Sequence, residues 1–242
     1  MRKLKHMNEL KNKYSGLRCF VIGNGPSLRM EDLDILHKNG EYSFGANRIY
    51  VSFSDTIWRP TFYCIQDGVM IQQYHDEIEK LPIRYKFVSD YAHKRLGDKK
   101  FKSTFMFHLN TERYYPYYPN FSADPSTEIS EGFTVTYCEI QLAAYMGFTE
   151  IYLLGVDFSY SNYIIDETHQ IVSTGEKDYF SDKYINANET RNPPQLHNSL
   201  QAYKKAEVYS RLNGFRVFNA TRGGKLEVFE RADFDQIIKS GR

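Results

Sequence analysis

Residues 19–28 read CFVIGNGPSL, and the fold class turns on them. The apolar run Cys19 to Ile22 stops at Gly23-Asn24-Gly25-Pro26-Ser27, the pattern of a buried strand entering a tight turn. Gly23 and Gly25 let the backbone approach an anion, and a helix that follows aims its N-terminus at the same place. The spacing invites the dinucleotide fingerprint but departs from it. Leu28 stands where the third glycine belongs, Pro26 stiffens the turn, and the second strand ends in Asn47-Arg48 without an acid for a ribose. No Gly-Lys-Ser/Thr follows, so the turn is not a nucleotide-triphosphate loop of that type. Two readings stay open at this point: a phosphate or nucleotide at the end of the first strand, or a purely structural turn.

Working outward, strand patterns recur at EYSFGANRIY (41–50), PTFYCIQD (60–67), IRYKFVSD (83–90), STFMFHL (103–109), TEIYLLGVDF (149–158) and FRVFNAT (215–221). Helical patterns lie between them: MEDLDILHKNG closed by Gly40, residues 133–147 closed by Gly147, and residues 196–213 followed by Gly214. The alternation predicts an α/β fold, a single Rossmann-like domain over 1–242 with a mostly parallel sheet flanked by helices. Residues 159–195 lose periodicity and are polar and tyrosine-containing, as in a lid-like insertion. Residues 1–18 carry Arg2, Lys3, Lys5, Lys11, Lys13 and Arg18 against Glu9, with Leu4, Met7, Leu10, Tyr14 and Leu17 at helical spacing. A basic N-terminal helix is expected there, either packed on its own domain or making a peripheral contact with an anionic membrane.

A formal net charge of +1 gives no global signal for nucleic acid. Aromatic residues reach 16%, which suits a cleft for ring-shaped polar ligands as well as a core. Cys19, Cys64 and Cys138 are widely spaced, with no Cys/His cluster for a metal. No signal-peptide or membrane-spanning run is legible, so a cytoplasmic location is expected.

In open α/β sheets ligands sit beyond the carboxyl ends of the strands. Those ends carry Asn24, Asn47, Gln66-Asp67 and Asp157, amides and carboxylates suited to hydroxyls and base edges. Each alone is an ordinary turn-former. Ser130, Glu131 and Gly132 stand just before a helix, where their own backbone N–H groups would complete a phosphate site, or Ser130 is simply its N-cap. His197 opens a helix directly after the polar segment, a placement that suits a general base or a capping residue.

Two blocks, GNGPSL (23–28) and ISEGFTVTYCEIQLAAYMGFTEIYLLGVDF (129–158), carry a resemblance. In their order and spacing the chain resembles the bacterial sialyltransferases of glycosyltransferase family 42. It also resembles a wider uncharacterised and flagellin-glycosylation group that is in turn similar to an archaeal pterin diphosphokinase. The resemblance covers roughly residues 19–220. It implies a variant of the nucleotide-sugar-binding α/β fold (GT-A-variant-like) that inverts the anomeric carbon without a divalent metal. By resemblance, Gly23, Asn24, Gly25, Ser27, Asn47, Ser130, Glu131, Gly132 and Asp157 bind the donor. Either Gln66 or Asp67 stands at the family's asparagine position. His197 is the base, and Tyr160 and Tyr163 stabilise the leaving phosphate. The chain departs from the family at Ser159, which precedes Tyr160 where a tyrosine is the rule, and at Glu131, where the rule is a small hydroxyl residue.

The implied activity is transfer of a sugar from a nucleotide donor, with CMP as the favoured nucleotide, to a glycan acceptor. No further cofactor is required on this reading, and assembly into a homo-oligomer stays open. The alternatives are an ATP- and magnesium-dependent pterin diphosphokinase-like enzyme, with Asp67 and Asp157 on the metal, and a non-catalytic nucleotide-binding protein.

Overall fold

The structure, a computed structural model, describes residues 6–91, 96, 99–102, 104–113, 118–160, 164, 165, 167, 171, 172, 177–185 and 192–241. In chain order the first half holds β1 (Arg18–Ile22), α1 (Met30–Lys38), β2 (Tyr42–Ala46), β3 (Phe62–Ile65), α2 (Gly68–Gln73), α3 (His75–Lys80), β4 (Tyr85–Ser89) and β5 (Phe105–Phe107). Two short strands follow, β6 (Leu109–Asn110) and β7 (Ile129–Ser130), then α4 (Val135–Tyr145) and β8 (Glu150–Leu154). The remainder holds β9 (Ile164–Ile165), β10 (Ile171–Val172), α5 (Leu196–Leu212), β11 (Arg216–Asn219), β12 (Glu230–Arg231) and α6 (Phe234–Lys239).

Eight strands form one sheet in the order β12-β11-β8-β1-β2-β3-β4-β5, and every pairing is parallel. The central strands are apolar throughout because both faces are covered. Alternate side chains divide between two cores. Cys19, Val21, Phe44 and Cys64 pack against α4, α5 and the N-terminal segment. Phe20, Ile22, Tyr63 and Ile65 pack against α1, α2, α3 and α6. The expected α/β architecture with a parallel sheet flanked by helices is therefore the observed one. Among the described residues no helix is long and apolar enough to cross a membrane.

Three local departures from the sequence reading have physical causes. The second strand ends at Ala46, just short of the expected Asn47-Arg48, because Asn47 takes a left-handed φ of 52° and a 3-10 turn over Asn47–Ser54 follows. The N-terminal segment forms a 3-10 turn at Met7–Leu10 and then lies against the end of α4. There the amides of Asn12, Tyr14 and Gly16 donate to the carbonyls of Tyr145, Met146 and Gly147. Those carbonyls end a helix and need outside donors, which is why this segment does not coil into a longer helix of its own. Met7, Leu10 and Tyr14 are buried, so this apolar face is used inside the molecule. Finally, after FRVFNAT the sequence places a Gly223-Gly224 turn and then KLEVF (225–229), but the last strand of the sheet forms just beyond it at Glu230–Arg231, while Leu226 and Phe229 are buried in the core.

Glu139 on α4 is fully buried, and neither carboxylate oxygen has a hydrogen-bond partner. Burial pushes its ionisation well above the usual carboxylate range. A raised folded-state value means the proton is held more tightly in the folded chain. Stability is then fullest below the unfolded carboxyl's value of about 4.3 and is lost as pH rises toward the folded value. Glu139→Met is therefore expected to raise stability by about 1–3 kcal/mol at pH 8 and by less at pH 5. Urea unfolding at the two pH values checks this, and a pH-independent difference would contradict it.

Candidate functional site

The cavity forms where strand order reverses. From β1 the chain proceeds through β2, β3, β4 and β5 to one side, while β8, β11 and β12 lie on the other. The turns leaving β1 and β8 therefore meet, and a crevice opens between them. The Gly23 amide donates to the Leu154 carbonyl at 2.8 Å, and the Gly25 amide donates to the Gly155 carbonyl at 2.9 Å. Asp157 accepts from the Ser27 hydroxyl at 2.8 Å and the Ser27 amide at 3.3 Å through one oxygen, Oδ2. A Cβ on Gly25 would fall 1.9 Å from that same oxygen, so only glycine fits the knot.

Beyond it lies a cavity of about 260 Å³. Its wall includes Gly23, Asn24, Gly25, Asn47, Gln66, Asp67, Asp157 and Tyr160, all of them singled out from the sequence. Asn24 donates from Nδ2 to the Ala46 carbonyl, which leaves its Oδ1 buried without a partner. Asn47 Oδ1 is likewise buried and unpartnered. These are two acceptors that a ligand donor would satisfy. Gln66 and Asp67 behave differently from each other. Asp67 caps α2 by accepting the Val69 and Met70 amides on Oδ1, and its Oδ2 accepts from Asn192 Nδ2 at 3.1 Å. Gln66 is part of the cavity wall, and its side-chain Oε1 accepts from the Cys138 thiol.

The other expected residues are placed elsewhere. Ser27 stands behind the wall, holding Asp157. Ser130 is buried, and its amide and carbonyl both pair with the Gln141 side chain. Glu131 bridges to Arg113 at 3.0 Å, so its carboxylate faces a cation instead of a ligand phosphate. Gly132 lies against the Tyr137 ring, where a Cβ would come within 2.4 Å. The chain then turns at Phe133, φ 56°, and it is Phe133, Thr134, Val135 and Thr136 that line the cavity. The N-terminus of α4 thus opens onto the cavity, with the Thr134 side chain making no cap bond to it. A Thr directly before a helical run was the available N-cap signal for this shift. His197 is exposed on the first turn of α5 and is not part of the wall, although Gln195, Leu196, Ser199 and Tyr203 around it are. Tyr163 lies outside the described residues.

Described parts of the 159–195 segment cover one side of the cavity. The Phe180 amide donates to the Asn24 carbonyl at 3.1 Å, and Arg48 donates to the Tyr184 carbonyl. Tyr184 is 4% exposed and stacks on Tyr179 with ring centroids 4.2 Å apart. Both residues belong to the cavity wall, and both lie in the tyrosine-containing segment that the sequence marks as a lid-like insertion. Three of the four non-glycine residues with positive φ among the described residues, Asn47, Phe133 and Phe158, also line it. Backbone strain of this kind, about 1–3 kcal/mol each, collects where a ligand site dictates the geometry.

A model of the family described as 6-hydroxymethylpterin diphosphokinase MptE-like matches residues 1–163. The chain belongs to this MptE-like family. The match spans both turns of the knot and the N-terminus of α4, so the MptE-like portion carries most of the cavity wall. It agrees with the resemblance to the wider group that the GNGPSL and LLGVDF blocks carry. Among solved structures, a similar one is the sialyltransferase CstII from Campylobacter jejuni in complex with a substrate analogue, cytidine-5'-monophosphate. It is 15% identical, with 91% of this chain and 86% of that chain covered and a TM-score of 0.48. None of the curated proteins compared with this MptE-like chain matches it.

Proposed function

We propose that the chain is a glycosyltransferase that moves a sugar from a nucleotide-activated donor to a glycan acceptor, with a CMP-linked nonulosonic acid as the favoured donor. The charge of the cavity wall supports this reading. No described residue of the wall is Lys, Arg or His, while Asp67, Asp157 and Asp178 are part of it. Without a metal a triphosphate carries roughly four negative charges into such a wall, whereas a CMP-linked nonulosonic acid brings about two, one on its phosphodiester and one on its sugar carboxylate. Backbone amides of the glycine turn and of the α4 N-terminus, with hydroxyl and amide side chains, suit that smaller charge. The acceptor oxygen attacks the anomeric carbon, the bond from that carbon to the phosphate oxygen breaks, and His197 takes the acceptor proton from the rim. Tyr160 donates a hydrogen bond to the departing phosphate.

The family description favours a second reading, an ATP- and magnesium-dependent pterin diphosphokinase-like enzyme. Its metal would draw on one or two carboxylates together with the nucleotide phosphates. Both oxygens of Asp67 and one of Asp157 accept from protein donors. Among the described residues no group of three or more His, Cys, Asp or Glu side chains gathers to hold a metal by itself, so a magnesium ion would rely on the phosphates for most of its ligands.

A thermal-shift series with CMP, UDP, GDP and ATP, each with and without magnesium, separates the readings. CMP without metal, at a hundredfold excess over its dissociation constant, is expected to add about 2.7 kcal/mol, or about 5–10 °C for a chain of this size. A shift with ATP and magnesium alone would overturn the glycosyltransferase reading. Binding of CMP without turnover of any nucleotide sugar would instead indicate a nucleotide-binding protein.

A further inference from the structure

Gln66 follows β3 directly and enters the cavity wall from the strand end. Two contacts hold it. Its carbonyl oxygen accepts the Ser89 hydroxyl at 2.8 Å, which anchors the backbone to β4. Its side-chain Oε1 lies 2.8 Å from the Sγ of Cys138, which donates to it. Cys138 comes from the opposite direction, on α4, and is completely buried. Burial also pushes the thiol's ionisation well above its ordinary range, so the sulfur keeps its proton. A primary amide has one acceptor end and one donor end. With the acceptor end turned to the thiol, the Nε2 hydrogens are what remains for the cavity.

We infer that Cys138 is a positioning residue: its thiol orients the Gln66 amide so that the cavity presents N–H donors there, and the ligand group read at that spot is a hydrogen-bond acceptor. This deepens the proposed function and rests on it. Asn24 and Asn47 line the same cavity, and their Oδ1 atoms are buried without a partner. On the β3 side a ligand therefore meets a donor, and a phosphate, carboxylate or carbonyl oxygen suits that position. Gln66, rather than the fully engaged Asp67, is the residue of the pair that reads the ligand.

A double-variant cycle tests this, with CMP and CMP-N-acetylneuraminic acid as probes in calorimetry and melting temperature followed in parallel. Gln66→Ala is expected to weaken binding of at least one probe about tenfold. Cys138→Ala is expected to weaken the same probe by about three- to fivefold, since the amide is freed to rotate. Cys138→Ser, which keeps a donor of similar size, is expected to return affinity to within about twofold of wild type. The combined Cys138→Ala, Gln66→Ala chain is expected to bind no more weakly than Gln66→Ala alone, because the thiol acts only through the amide. Gln66→Glu leaves Cys138 untouched and presents an acceptor to the ligand. Its loss is expected to be at least as large as that of Gln66→Ala. Equal losses for Cys138→Ala and Cys138→Ser, additive losses in the double variant, or unchanged binding in Gln66→Ala would each overturn the inference while leaving the nucleotide site standing. A wild-type chain that binds neither probe would overturn the functional reading itself, and this inference with it.

Discussion

Gly23→Ala is expected to unfold the site and to lower stability by about 3 kcal/mol, a fall in Tm of about 6–12 °C for a chain of this size. The cause is backbone crowding. A Cβ at position 23 would lie 2.3 Å from the Gly155 carbonyl oxygen and 2.7 Å from its carbon. Neither atom can swing aside as a side chain would. Gly155 itself sits at φ 72°, and the adjacent amide-to-carbonyl bonds of Gly23 and Gly25 hold the two turns together. Making room for one methyl group therefore means parting β1 from β8 at the place where the cavity opens. Nucleotide binding should be lost with it. Gly40→Ala provides the comparison, because that residue closes α1 at φ 64° with nothing within 4 Å of a new Cβ. Its cost is expected to be about 1 kcal/mol from the left-handed conformation alone, with binding intact. Thermal melts and calorimetry with CMP on the two variants check the pair. A Gly23→Ala chain that melts with the wild type would show that β1 and β8 are not in the contact described.

His197→Ala is expected to lower turnover of a nucleotide sugar by about 10²–10⁴-fold while changing the dissociation constant for CMP by no more than about twofold. The separation follows from placement. His197 is exposed on the first turn of α5 and outside the cavity wall, so its removal opens no cavity and strips no contact from a bound nucleotide. Its neighbours Gln195, Leu196 and Ser199 do line the wall. On the proposed mechanism the imidazole serves the acceptor and not the nucleotide, so the two effects separate. Loss of CMP binding in this variant would assign His197 to holding the lid or the ligand, and unchanged turnover would remove it from the mechanism.

How much of this was legible in the residues differs from element to element. Asn24, Asn47, Gln66, Asp67 and Asp157 were found because a parallel sheet collects all its strand ends at one edge. A strand end is a local pattern, an apolar run that stops, so the assignment needed no knowledge of distant contacts. The Ser130-Glu131-Gly132 stretch shows where that logic fails. Its residues were correctly placed next to a helix start, yet the wall is made by Phe133 to Thr136. The shift comes from the left-handed turn at Phe133 and from the Tyr137 ring lying against Gly132, and Arg113 draws Glu131 into an ion pair. The N-terminal segment gives the complementary case. Of the residues at helical spacing there, Met7, Leu10 and Tyr14 are buried while Leu17 is exposed, and Leu4 lies outside the described residues. The spacing did not reveal that the amides of the same segment bond to the end of α4, a partner more than 130 residues away in the chain.

The sequence by itself determined the α/β class, the parallel order of strand and helix, and the five amide and carboxylate residues at the strand ends. These follow from apolar periodicity and turn chemistry, which act between near neighbours. Only the tertiary structure decided what each of those residues is left to do. Ser27 occupies one oxygen of Asp157, Asn192 and the amides of α2 occupy Asp67, and Cys138 turns Gln66 toward the ligand. Hydrogen-bond capacity is finite, and the groups that consume it arrive from elements far apart in the chain. The donors and acceptors that remain for a ligand are therefore a property of the packed molecule and not of any one segment.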